Sequence, residues 1–123
     1  MNEKGVVVVV ETDDLIRGLL ERWLGEAGYT AVESGDHRTN AAKGSRPVLV
    51  IANVPYPRGA PVLIRSLQAK YAAPFLVLSA RFQRGLGASM EAARRLGVRK
   101  VLPKPFTRKE LLSAVNEAIE GAS

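Results

Sequence analysis

Short apolar runs of strand length alternate along this chain with stretches whose apolar residues return every three or four positions. Val6 to Val10 is an unbroken apolar run, the pattern of a central strand covered on both faces. Leu15, Ile16, Leu19, Leu20, Trp23, Leu24 and Ala27 then repeat at helical spacing, and Gly28 supplies the stop. Thr30 to Glu33 predicts a second strand, and Arg38 to Lys43 a weaker helix closed by Gly44. Val48 to Ala52 offers nothing to water and predicts a third strand, with Asn53 where it surfaces. Val62 to Lys70 predicts a short helix with Val62, Leu63 and Leu67 apolar, and Phe75 to Leu78 a fourth strand. Ser89 to Leu96 is the core of a fourth helix, and Lys100 to Leu102 a short fifth strand. The last helix opens at Thr107, where Thr107 and Glu110 spell a T-x-x-E capping box. Leu111, Leu112, Val115 and Ile119 form its apolar stripe.

Five strand-helix units in this order predict an α/β protein: one doubly wound domain, an open five-stranded parallel sheet with helices on both faces. A length of 123 residues is enough for a hydrophobic core, and no repeat or linker divides it. A single domain over residues 1–123 is the expectation.

In such sheets, sites gather at the carboxyl ends of the strands. Those ends carry Glu11, Thr12 and Asp13 after the first strand and Asn53 after the third. Ser79 follows the fourth strand, and Lys104-Pro105-Phe106 the fifth. Four strands each deliver a polar group to one edge.

In this order and spacing the residues resemble the receiver domain of two-component response regulators, the CheY-like family with its flavodoxin-like fold. The resemblance covers essentially the whole chain. It rests on V-E-T-D-D-L-I-R at the first strand end, N-V-P-Y-P at the third, Ser79-Ala80 at the fourth and the K-P-F of Lys104 to Phe106. It implies a chemistry in which acidic side chains hold magnesium and an aspartate at the end of the third strand accepts a phosphoryl group. A Ser or Thr and a Lys contact the phosphoryl oxygens, positions matched by Ser79 and Lys104.

The departures from that pattern matter as much. Glu11 matches the first acid, but Thr12 stands where the second, a metal ligand, belongs. Asn53 stands at the phosphoacceptor position, and a neutral amide neither attacks phosphorus nor brings charge to a metal. Val101 replaces the usual switch aromatic, and Arg58-Gly59-Ala60-Pro61 lacks the usual Asp-Gly. The expectation is a degenerate pseudo-receiver: a signal-transduction domain, not an enzyme, with no cofactor and with magnesium binding weak or absent. At its edge Lys104 is expected to neutralise Glu11 and Asp13, the other option being a small anion site with Ser79. Pro105 is a candidate cis proline by the same resemblance.

Charge adds a partner. Residues 1–36 hold three basic side chains against eight acidic ones, whereas residues 37–123 hold fifteen against four. Arg81, Arg84, Arg94, Arg95, Arg99, Lys100, Arg108 and Lys109 all fall between the fourth strand and the start of the last helix. In the family, the surface of the fourth helix, fifth strand and fifth helix meets targets or forms homodimers. Here it would be positive, and an acidic protein surface, such as a signalling protein, histidine kinase or output domain, is the expected complement. A basic nucleic-acid-binding module ranks below it, because no aromatic residues interleave the basic ones. A receiver still working in a phosphorelay is the other alternative.

There are no cysteines, hence no disulfide or thiolate metal site, and no apolar stretch reaches the roughly 20 residues of a membrane helix. A cytoplasmic protein is the default. Gly85-Leu86-Gly87 reads as a loop that lacks the third glycine of a nucleotide fingerprint. His37 reads as a surface turn residue, and Trp23 as core.

Overall fold

A computed structural model describes residues 4–33, 47–54, 59–79 and 86–120. Its strands are β1 (Val6–Val10), β2 (Thr30–Glu33), β3 (Leu49–Asn53), β4 (Phe75–Ser79) and β5 (Lys100–Pro103). The helices are α1 (Asp14–Glu26), α2 (Ala60–Lys70), α3 (Leu86–Leu96) and α4 (Arg108–Glu120). The expected helix at Arg38 to Lys43, with Gly44 and His37, lies outside the described residues, as do Arg81 and Arg84.

All strand pairs are parallel, in the order β2-β1-β3-β4-β5. Alternation along the strands divides the core into two layers. Val8, Val50, Ala52, Val77 and Val101 face Ala60, Ile64 and Leu67 of α2 and Ala92 and Ala93 of α3. Val7, Val9, Leu49, Ile51, Leu76 and Leu78 face Leu20 and Leu24 of α1 and Leu111, Ala114, Val115 and Ala118 of α4. Each fully buried Leu, Val or Phe contributes roughly 1.5–3 kcal/mol of hydrophobic stabilisation. The chain leaves β1 in one direction to β2 and enters β3 on its other side. The crevice between the carboxyl ends of β1 and β3 is therefore the topological switch point.

The apolar stripes are narrower than the sequence implies. On α1 only Leu20 and Leu24 are buried, while Leu15 is 86% and Leu19 40% exposed. On α2 Val62 is 67% exposed, whereas Ile64 and Leu67 are buried. On α4 Ala114 and Ala118 take core positions and Leu112 does not. A helix lying on a flat sheet buries only the side chains that point straight at it, and small ones allow the closest approach. Gly85-Leu86-Gly87 is corrected too, since Leu86 and Gly87 belong to the first turn of α3.

Among the described residues three glycines have positive φ, and two of them shape the edge of β1 and β2. Gly5 has φ 124°, and a Cβ there would lie 2.6 Å from Val48 Cγ1. Gly28, at φ 102°, follows the Ala27 C-cap of α1 and turns the chain into β2.

Candidate functional site

Glu11, Asn53, Ser79 and Lys104 meet at the crevice, as the strand ends predict. Asn53 is the last residue of β3 and half-buried; Glu11 follows β1 and is 8% exposed. Lys104 Nζ donates to Asn53 Oδ1 at 2.5 Å, and Asn53 Nδ2 donates to Glu11 Oε2 at 3.5 Å. A carboxamide is the side chain that can accept from an ammonium at one end while donating to a carboxylate at the other. Lys104 also donates its backbone N–H to the Ser79 carbonyl at 3.1 Å, which ties the end of β5 to β4. Ser79 itself is fully buried.

The acidic cluster expected after β1 is taken apart by the start of α1. Asp13 is the N-cap: its Oδ1 accepts from the backbone N–H of Leu15 at 2.9 Å and of Ile16 at 3.2 Å. Its own N–H donates to Glu11 Oε2 at 3.0 Å. Thr12 is exposed. Among the described residues Lys104 forms no ion pair with Glu11 or Asp13, so the expectation that it neutralises both is corrected. The helix N-terminus claims Asp13, and the amide of Asn53 comes between Lys104 and Glu11. Glu11 Oε1 is buried with no hydrogen-bond partner among the described residues.

Arg17, not singled out from the sequence beyond its place in V-E-T-D-D-L-I-R, braces this corner. It donates to the Glu11 carbonyl at 3.1 Å and pairs with Asp14 at 2.6 Å, Glu33 at 3.4 Å and Glu21 at 3.9 Å. The hydrogen bond that Arg17 donates to Asp14, supported by the field of Glu33, Asp14 and Glu21, raises its pKa against a smaller opposing effect of dehydration.

A second hollow opens beside the crevice. Ile16, Leu19, Leu20, Trp23, Lys104, Pro105 and Phe106 line a cavity of about 370 Å³. Trp23, expected in the core, is half-buried and meets Phe106 edge to face at 6.5 Å. Lys104-Pro105 is a cis peptide. The sequence carried a signal for this hollow in the excess apolar width of α1.

No model of a known protein family matches the chain. It is 37% identical over 117 residues to the transcriptional regulatory protein PdtaR of Mycobacterium tuberculosis, covering 92% of this chain and 56% of PdtaR. Protein PetR of Rhodobacter capsulatus is 35% identical over 115 residues, 89% of this chain and 46% of PetR. The chain thus spans about half the length of these relatives. The crystal structure of a response regulator receiver protein from Burkholderia phymatum superimposes with a TM-score of 0.68 at 26% identity, over 98% of both chains. In sequence and fold the chain is similar to response regulators and their CheY-like receiver domains.

On this receiver the basic surface is more neutral than its sequence implies. Arg95 pairs with Glu91 at 3.1 Å, Arg108 with Glu26 at 3.3 Å, and Lys100 with Glu117. Arg99 donates to the Ala118 carbonyl near the end of α4 at 3.1 Å. Lys100 holds the Glu117 carboxyl below its usual range, chiefly through that hydrogen bond. Arg94 and Lys109 are exposed. Val101, at the family's switch position, is 1% exposed in the layer under α2 and α3. No helix among the described residues is long and apolar enough to cross a membrane.

Proposed function

We propose that this receiver takes no phosphoryl group and acts as a regulatory protein-interaction domain. The observation that carries the reading is the hydrogen-bonded chain Lys104–Asn53–Glu11. By the family motif, position 53 is where an aspartate would attack phosphorus, and the amide there has no such reactivity. The lysine that would contact a phosphoryl oxygen already donates to that amide.

Magnesium does not fit the residues present. Divalent hard cations need several oxygen ligands and favour carboxylates. Among the described residues at this edge, Glu11 is the one carboxylate turned inward, because Asp13 caps α1 and Thr12 and Asn53 are neutral. An ammonium lies one amide away. Among the described residues no group of three or more His, Cys, Asp or Glu side chains could hold a metal. Val101 removes the aromatic rotor through which the family reports phosphorylation. The domain would therefore signal by being bound, and an acidic protein is the partner proposed for Arg94, Lys109 and the paired bases around them.

Acetyl phosphate with magnesium tests the reading. The wild-type chain takes up no label, and Asn53→Asp labels only slowly, because Thr12 leaves the metal under-liganded. Thr12→Asp combined with Asn53→Asp labels about tenfold faster than the single change, equivalent to ~1.4 kcal/mol off the barrier. Stable label on the wild type, or rapid labelling of Asn53→Asp alone, overturns the proposal.

A further inference from the structure

We propose that the cavity between α1 and the β5–α4 connection binds a small aromatic monocarboxylate of one or two rings. Its volume of about 370 Å³ lies near the lower end of small-molecule sites, which span roughly 300–1,000 Å³. Its walls are apolar apart from one charged group, the pattern of a site that buries a ligand's body and orients it by a single polar contact. Trp23 and Phe106 meet edge to face, a geometry that a third ring can extend.

The sign of the ligand follows from Lys104. Its recorded partner is the neutral amide of Asn53, and one hydrogen bond uses one of the three donors of an ammonium. The carboxylates of α1 are matched elsewhere: Asp14 and Glu21 by Arg17, Glu26 by Arg22 and Arg108. Among the described residues the cavity thus has a positive pole with no carboxylate paired to it. A ligand carboxylate would complete the shell of Lys104 and compete with Asn53 for it, linking the cavity to the strand-end crevice. This inference does not depend on the fate of Asn53 in phosphorylation, and its test contains no phosphoryl donor, so the two proposals fail separately.

The probe is 2-naphthoate, titrated into the isotopically labelled chain and followed by NMR. The indole N–H of Trp23, the one tryptophan, reports the cavity directly. Saturable shifts are expected at Trp23, Ile16, Leu19 and Phe106. The neutral 2-naphthamide should bind about tenfold more weakly, the scale of a lost hydrogen bond to a charged group. Leu19→Glu, on the cavity wall, should abolish binding, whereas Leu15→Glu, outside it, should leave the affinity unchanged. Absence of saturable shifts, or equal affinity for acid and amide, overturns the inference. Equal loss in both glutamate variants also overturns it, and marks the α1 surface as a docking face for a macromolecule instead.

Discussion

At position 53 a carboxamide makes two hydrogen bonds that an ionised carboxylate could not make together, accepting from Lys104 and donating toward Glu11. An aspartate in the same place would set two carboxylates side by side, an arrangement that metal or proton must relieve. Asn53 is therefore compatible with a metal-free crevice, and its role and that of Thr12 are read together. Asp13 illustrates the opposite fate for an acid. Its neighbours in sequence suggest a cluster, yet its oxygen is spent on two helix N–H groups. Replacing it by alanine should lower stability by about 1 kcal/mol, measured by urea denaturation, as for other N-caps. An unchanged midpoint would return Asp13 to the candidate pocket.

Among the elements, α4 shows how much a sequence motif can carry. The T-x-x-E box is formed reciprocally: Glu110 N–H donates to Thr107 Oγ1 at 3.1 Å, and Thr107 N–H to Glu110 Oε1 at 2.9 Å. Capping is local chemistry, so four residues suffice to predict it. The apolar stripe is not local. Leu111 is fully buried against the sheet, while its neighbour Leu112 lies half-buried on the surface side. Leu111→Ala should cost about 2–5 kcal/mol, within the range for emptied core positions. Leu112→Ala should cost no more than about 1 kcal/mol. Similar losses in the two variants would mean that α4 sits on the sheet in a different rotation. The same non-local choice of facing made α1 look wholly apolar on its inner side, although Leu15 points to solvent and Leu19 lines the open hollow beside Trp23.

For the molecule as a whole, two apolar layers share one five-stranded sheet, so neither can be lost without exposing the other. Unfolding in urea should therefore be a single transition. Trp23 fluorescence, which reports the α1 and α4 side, and far-ultraviolet circular dichroism should give the same midpoint and slope. Separate midpoints would show that the layers unfold independently. The sequence by itself determined the five strands, the α/β class, the boundaries of the four described helices to within a few residues and the strand ends where polar groups collect. It did so because strand burial, helical periodicity, glycine stops and caps are written in neighbouring residues. Only the tertiary structure decided that Lys104 meets Asn53 rather than an acid and that Lys100 and Arg108 are paired with Glu117 and Glu26. It alone opened a cavity beside Trp23. Those outcomes depend on distances between side chains as far as 51 positions apart in the chain. Such distances arise only when strands have taken their order and each helix its rotation on the sheet.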